Sequence, residues 1–431
     1  MTGPADRIGI IAGSGSLPRE VAENIVSRGG SVHVVMVSGA ADASLAMFPH
    51  TVVNWAQPGR ATAALKTAGV RDVVLLGGFQ RPDFRTARPD LAFFQALPSV
   101  LRFLKAGGDD AVLRGLVALF ERRGLNIVGV RDVANDLTVA EGVLAGPALS
   151  VQNAADAEKG FALIAALGRY DIGQAAVVAN GRVEAIEGAE GTDRMLRRVA
   201  EVRRATGAAG SGGVLVKRPK PGQDLRVDLP AIGPNTIENV AAAGLSGVAV
   251  MAEHVLAAER DRMMAIAEAR GVSVVGMSQG QKHSAPSGEA VGGAFGWLGS
   301  VPIDARGVAD IRRGAGILAV VSAFDTSTAV VLDRGRVMAA GTAERPVEVV
   351  ERAAGLRKGD GRRGVVVIDP SQRLDEALLR TSDRYKFAGV AMVGDPMNTA
   401  ISSAVVQLAD SLGMFIAEVG NPSHDGARGR A

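Results

Sequence analysis

Residues 217–230 read Lys-Arg-Pro-Lys-Pro-Gly-Gln-Asp-Leu-Arg-Val-Asp-Leu-Pro, with Ile232-Gly233-Pro234-Asn235-Thr236 just beyond. Lys217, Arg218, Lys220 and Arg226 are cations suited to phosphate oxygens. Asp224 and Asp228 are carboxylates that can hold a metal ion or orient a water. Pro219, Pro221 and Pro230 fix the backbone and exclude a continuous helix, so the charges sit on a stiff irregular segment. The chemistry this set suits is chemistry on a phosphorylated ligand. The segment alone leaves a second reading open, a solvated, proline-broken loop between a strand at Gly213–Val216 and a helix.

Four further constellations point the same way. Gly13-Ser14-Gly15-Ser16-Leu17-Pro18 follows a strand and opens a helix, where backbone N–H groups and the helix dipole attract an anion. It is an incomplete dinucleotide fingerprint, because Pro18 replaces the third glycine and the second strand ends at Val37-Ser38-Gly39 without an acid for a ribose. Gly77-Gly78-Phe79-Gln80-Arg81-Pro82 lies at the carboxyl end of an apolar strand, the usual ligand edge of an α/β sheet, and Arg81 could meet a phosphate there. Lys105-Ala106-Gly107-Gly108-Asp109-Asp110 precedes Arg114; an aspartate there can also be a simple helix cap. Glu184, Glu187, Glu190 and Asp193 recur every three residues across a strand end and a helix start, with Thr192 or Asp193 as cap, which suits either Mg²⁺ completed by a phosphate or a solvated acidic face. The five histidines lack metal-ligand spacing, which argues against zinc.

The elements that must position these groups alternate. Arg7–Ala12, Ser31–Val37, Asp72–Leu76 and Asn126–Val130 read as strands, with helices at Leu17–Arg28, Ala61–Ala68 and Asp110–Arg123. This is the pattern of a parallel α/β sheet, a Rossmann-like unit over residues 1–135. A mixed α/β unit follows over 151–277. It has a helix at Ala157–Leu167, a hairpin around Asn180-Gly181 (Gln174–Ala179 and Arg182–Ile186), a helix at Thr192–Arg204 and a strand at Gly213–Val216. Beyond these come Thr236–Ala243 as helix, Gly247–Met251 as strand, Val255–Arg270 as helix and Val272–Val275 as strand. Residues 132–151 read as a linker with a short element of its own, the Gly-, Ser- and Ala-rich 278–302 as a linker, and 421–431 as a disordered tail.

Residues 303–420 then repeat the second unit. Asp171-Ile172-Gly173-Gln174 and Gly181-Arg182-Val183 return 154 residues later as Asp325-Thr326-Ser327-Thr328 and Gly335-Arg336-Val337. Gly213–Val216, Gly247–Val250 and Gly271–Gly276 return as Gly364–Val367, Gly389–Met392 and Gly413–Glu418. Constant order with an offset that changes only between elements is what a duplicated unit with loop deletions shows. The copy carries Ile368-Asp369-Pro370-Ser371-Gln372-Arg373-Leu374-Asp375 in place of the Lys217–Pro230 loop and keeps only Glu344 of the acidic series. It is expected to be a scaffold or interface, and a chain ending near Met277 is expected to keep activity.

Bulk composition narrows the class. The 431 residues are 47% hydrophobic, 22% charged and 4% aromatic, with 55 glycines, too long a chain for one core. A net charge of +3 and scattered basic residues give no case for nucleic acid. The absence of cysteine removes disulfides, thiolate metal sites and cysteine nucleophiles. No secretory leader or run long enough to span a bilayer is present, so a cytoplasmic protein is expected. A peripheral membrane contact and a homodimer stay open.

Taken together, Gly13–Pro18, Gly107–Asp110 with Leu113-Arg114, Asp171–Gln174, Glu190-Gly191-Thr192-Asp193 with Met195-Leu196-Arg197, and Lys217–Thr236 resemble the LpxI-type UDP-2,3-diacylglucosamine pyrophosphatases of Gram-negative lipid A synthesis. The resemblance covers about residues 7–277; the residues beyond fall outside the family pattern. It implies a two-domain fold holding its ligand between the domains, and Mg²⁺-dependent hydrolysis of UDP-2,3-diacylglucosamine to UMP and 2,3-diacylglucosamine 1-phosphate (lipid X), with water attacking the sugar-side phosphorus. It places the essential carboxylate on Asp228. Chemistry adds a Mg²⁺ on Asp228 with Glu187 or Glu190, and Lys217, Lys220 and Arg226 toward the phosphates. Gln223 and Thr236 would orient sugar phosphate or water. Gly13, Ser14, Gly15, Leu17 and Pro18 would face UDP, with Gly78, Arg81, Gly108, Asp109, Asp110, Gln174, Thr192 and Asp193 as further substrate contacts. The competing readings are a nucleotide-sugar oxidoreductase and a non-catalytic binding protein for acylated nucleotide sugars.

Overall fold

The computed structural model describes residues 7–78, 84–95, 109–208, 210, 212–278, 295–324, 326–357, 359–394 and 401–420. The first unit contains β1 (Ile8–Ala12), α1 (Leu17–Ser27), β2 (Val32–Val37), β3 (His50–Val53), α2 (Pro58–Thr67), β4 (Asp72–Leu76), α3 (Asp109–Glu121) and β5 (Asn126–Ile127). Its five strands are all parallel in the order β3-β2-β1-β4-β5. The order reverses between β1 and β4, and a parallel sheet opens a crevice at that point. Alternation along the strands sends Ile10, Val34 and Val74 to one face under α1, and Ile11, Val35 and Val73 to the other under α2 and α3. Strand β3 was not expected from the sequence. It lies at the sheet edge with only Val53 buried, so it has no apolar run.

A short helix α4 (Val130–Val133) leads into the second unit. That unit comprises β6 (Gly142–Ala145), α5 (Val151–Leu167), β7 (Ala175–Ala179), β8 (Arg182–Ile186), α6 (Thr192–Ala205), β9 (Val214–Lys217), β10 (Ala231–Ile232), α7 (Pro234–Ala242), β11 (Gly247–Met251), β12 (Leu256–Ala257), α8 (Arg260–Arg270) and β13 (Ser273–Met277). Its sheet runs β6-β13-β11-β9-β7-β8, parallel through β13, β11 and β9 and antiparallel elsewhere. The β7–β8 turn has Asn180 at φ 51° and Gly181 at φ 77°, as a two-residue hairpin turn requires. Asp156 of α5 accepts both of their N–H groups.

The third unit comprises β14 (Phe295–Leu298), α9 (Ala305–Ser322), β15 (Ala329–Asp333), β16 (Arg336–Ala340), α10 (Pro346–Ala354), β17 (Val365–Ile368), α11 (Glu376–Arg384), β18 (Gly389–Val393), α12 (Ser403–Ser411) and β19 (Phe415–Val419). Its sheet runs β14-β19-β18-β17-β15-β16. Each neighbour pair has the same sense as its counterpart in the second sheet. Even the hairpin irregularity recurs, between Val177 and Val178 in one and Val331 and Leu332 in the other.

Two sequence expectations need correction. The stretch 278–302, read as a linker, holds the edge strand β14, whereas the short element expected within 132–151 is the edge strand β6; both are short and partly exposed. The helix expected at Val255–Arg270 is split: Leu256-Ala257 pair with Ala231-Ile232, and Glu259 at φ 47° breaks the chain before α8. The expected tail at 421–431 lies outside the described residues.

Helices α5 and α9 pack against each other between the two mixed sheets, and their residues share one apolar core with both. Helices α6–α8 cover the outer face of the second sheet, and α10–α12 that of the third. No described helix is long and apolar enough to cross a membrane.

Helix α5 rests directly on its sheet because Gly160 has no side chain: a Cβ there would lie 2.6 Å from Val216 Cγ2. Gly160→Val should therefore cost about 1–3 kcal/mol through overpacking. Gly355→Ala, whose new Cβ would have its nearest neighbour at 3.6 Å, should stay within about 0.5 kcal/mol. Denaturant unfolding of both variants checks the difference.

Candidate active site

The crevice between β1 and β4 is closed from above by the Arg226–Leu229 segment of the second unit. Together they enclose a cleft of about 330 Å³. The first unit lines it with Ser14–Leu17 and Leu75–Gly78, the second with Arg226–Leu229, Ala231, Leu256 and Ala258. Of the sequence candidates, Ser14, Gly15, Leu17, Gly78, Arg226 and Asp228 meet here.

The glycine turn has the shape that this closeness demands. Ser14 and Gly78 exchange both backbone hydrogen bonds at 2.9 Å, and the Ser14 hydroxyl donates to the Gly78 carbonyl. A Cβ on Gly13 would lie 2.6 Å from that same carbonyl oxygen, so the two turns can touch only through glycine. Gly15 adopts φ 100°, which only glycine takes readily. Pro18 is buried in the first turn of α1. Ser16, the N-cap of α1, makes no side-chain cap; Pro18 has no N–H and Arg19 and Glu20 donate theirs to the Ser16 carbonyl, so the backbone N–H groups beside the cleft are those of the Gly15–Leu17 turn.

Asp228 is aimed by its neighbours. Val227 packs with the core on one face of the first sheet and Leu229 with the core on the other, so the loop straddles the sheet edge with Asp228 between them. The buried Gln223 amide donates to both the carbonyl (2.8 Å) and the carboxylate of Asp228. Its own oxygen accepts the Lys220 N–H at 2.9 Å. Arg226 grips both oxygens of Asp224 and reaches Glu121 at the end of α3 (2.9 Å), strapping the loop to the first unit. The hydrogen bond from Arg226 holds the Asp224 carboxyl below its ordinary pKa. Lys220 pairs with Asp171, and both remain partly accessible.

Other candidates lie elsewhere. Lys217 is buried at the end of β9 and does not line the cleft; its ammonium donates to Thr192 Oγ1 (3.1 Å) and the Ala231 carbonyl (2.8 Å). Burial lowers its pKa against the opposing pull of Glu187 and Asp193. Glu187 accepts from the Gln174 N–H and from the Thr192 hydroxyl, both at 2.8 Å. This network supports Ala231 from behind. Thr236 closes the first turn of α7 and is buried, and Asp193 accepts from Asn239 at 3.1 Å. Glu190 faces the third unit, bound to Arg198 and Arg352. Arg81 and Gly108 lie outside the described residues, as do the side chains of Asp109 and Asp110.

The expected metal set therefore does not assemble: Glu187 and Glu190 are engaged away from Asp228, and the described residues hold no cluster of three or more acids or histidines suited to a metal. The donors do fit a hard cation held by Asp228 alone, with a ligand's phosphate oxygens and water completing the shell, as Mg²⁺ is commonly bound. Nothing in the sequence marks Glu121, Leu256 or Ala258: Glu121 is one of many exposed helical acids, and Leu256 and Ala258 fall in a stretch whose pattern reads as helix.

Comparison with known proteins agrees with this two-unit geometry. Residues 7–137 match the LpxI N-terminal domain and residues 140–275 the LpxI C-terminal domain. UDP-2,3-diacylglucosamine pyrophosphatase LpxI of Caulobacter vibrioides is 38% identical over 273 residues, 63% of this chain and 97% of that protein. With both domains matched in order around the cleft, and with such a relative covered nearly end to end, the chain belongs to the LpxI family.

Proposed function

We propose that this chain hydrolyses the diphosphate of UDP-2,3-diacylglucosamine to UMP and 2,3-diacylglucosamine 1-phosphate. The observation that carries the reading is the position of Asp228, held by Gln223 across one cleft from the Ser14–Leu17 helix start. The activity named for the Caulobacter relative supports it.

A diphosphate between two esters carries about two negative charges, which must be balanced before water can attack. The N–H groups of the Gly15–Leu17 turn receive the nucleotide-side phosphate. Asp228 orients the attacking water toward the sugar-side phosphorus. A new P–O bond forms there, the bond from that phosphorus to the bridging oxygen breaks, and the electron pair leaves with UMP while a proton passes to solvent. Gln223 keeps the carboxylate from turning away, and Arg226 with Glu121 keeps the loop over the crevice. A Mg²⁺ held by Asp228 would neutralise charge on the diphosphate. The acyl chains require apolar cover at about 0.8 kcal/mol per CH₂, so we place the reaction in the cytoplasm with the lipid drawn from the inner membrane.

Asp228→Ala should lower kcat for UMP release by roughly 10²–10⁴-fold in folded protein with detergent-dispersed substrate. Substrate binding without release by the native chain would instead support a binding protein. Gln223→Glu sets an acceptor against the Asp228 carboxylate in place of a donor. A loss of roughly 10–100-fold is expected, with unfolding unchanged below the transition; undiminished turnover would remove Gln223 from the mechanism. Chelation by EDTA should abolish release and added Mg²⁺ restore it, whereas activity that survives chelation would remove the ion.

A further inference from the structure

The second and third units meet through contacts that read the same from either side. Glu190 and Glu344 are 154 residues apart, and so are Arg198 and Arg352. Arg198 donates to Glu344 at 2.9 Å and to Glu190 at 3.2 Å. Arg352 donates to Glu190 and to Glu344, both at 3.1 Å. All four side chains are at most 15% exposed. The backbone repeats the exchange. The Thr342 hydroxyl donates to the Glu184 carbonyl at 2.8 Å. At the matching place, Gly188-Ala189 meets the carbonyl of Met338, the counterpart of Glu184, with the Ala189 N–H at 3.4 Å.

A contact from one residue to another, answered by the reverse contact between their counterparts, is the mark of a two-fold interface between identical surfaces. Unlike domains joined in one chain have no reason to show it. The helices at the junction correspond as well. Ser150 and Asp304 cap α5 and α9. Asp156 and Asp310 hold the matching hairpin turns. Gly160 and Gly314 let the two helices down onto Val216 and Val367. Only the chemistry differs: the chain between β9 and α7 occupies residues 218–233, and that between β17 and α11 only 369–375.

We propose that the third unit is a tethered copy of the second, seated where a second subunit would sit, so that the face bearing α5, Glu190 and Arg198 is a self-association surface filled within one chain. The partner that fits this face is another copy of the second unit. The proposal is independent of the reaction, since its readout is mass.

In analytical ultracentrifugation the full chain should sediment as a monomer of 44.2 kDa. A chain ending at Ser278 should be a dimer, and Arg198→Glu in that shorter chain should weaken the dimer on the order of a hundredfold by setting four carboxylates together. The two family domains span 7–137 and 140–275, and 273 residues of this chain match 97% of the Caulobacter relative, so a chain ending at Ser278 has about that relative's extent. Should it not fold, the folded full chain is cut at a protease site placed within residues 279–294: the two pieces should still sediment together, held by this face alone, and pieces that part would overturn the proposal. A dimer of the full chain, a folded fragment that stays monomeric, or a fragment dimer indifferent to Arg198→Glu would each overturn the proposal.

Discussion

The two hydrogen bonds from the Gln223 amide to Asp228, one to its backbone and one to its carboxylate, fix a side chain on an element with no regular structure of its own. An irregular loop must repay roughly 1–2 kcal/mol of backbone entropy per residue without a ladder of hydrogen bonds to help. Here the repayment is spread over chemically different anchors. Val227 and Leu229 bury apolar surface on opposite faces of the first sheet. Arg226 adds charge-assisted bonds to Asp224 and Glu121; as Arg226 is 42% exposed, each is screened by water and worth about 0.2–1 kcal/mol. The loop belongs to the second unit, yet most of its anchors lie on the first. Closure of the cleft and aim of the carboxylate are therefore one event, and a change in how the units sit would move Asp228 with it.

The close approach of Gly13 and Gly78 serves the same end from below. With no Cβ between them, the β1–α1 turn and the end of β4 act as a single rigid lip. That lip sits where the sheet order reverses, so both walls of the cleft are pinned to the most buried strands of the unit. The cleft is closed by backbone contacts on the side of the Ser14–Leu17 turn and anchored through side chains on the side that carries the carboxylate.

Much of this was legible in the residues. The parallel first sheet, the Asn180-Gly181 hairpin and the matching order of the second and third units all rest on local signals: β-branched runs, turn pairs and capped helices. The short edge strands β3 and β14 were not legible, and β6 only as a short element of unstated type, because an edge strand half open to water needs no apolar run. The acidic series shows a different limit. The spacing of three reads as a strand end running into a helix start, and Glu184 does lie in β8 with Glu187 and Glu190 on the connection to α6; what the residues do not show is that each turns to a different partner. Lys217 shows it again. Every residue of β9 is buried, so its terminal lysine is drawn into the interior, whereas Lys220 three residues on stays at the surface with Asp171. Composition marks both as phosphate binders; only the fold separates them.

Why a unit without the loop should remain attached follows from the charges it covers. Arg198 and Glu190 lie under the third unit, where a pair stripped of water gains less from mutual attraction than it loses in solvation unless further partners complete it. Arg352 and Glu344 complete it, and the four charges cancel. The α5 face beside them is equally unsuited to water, since its core residues are shared with α9 and the third sheet. Among the described residues, none lining the cleft comes from the third unit. What the third unit touches is the second sheet and α5, the platform from which the Lys217–Ala231 contact and the Asp228 loop project.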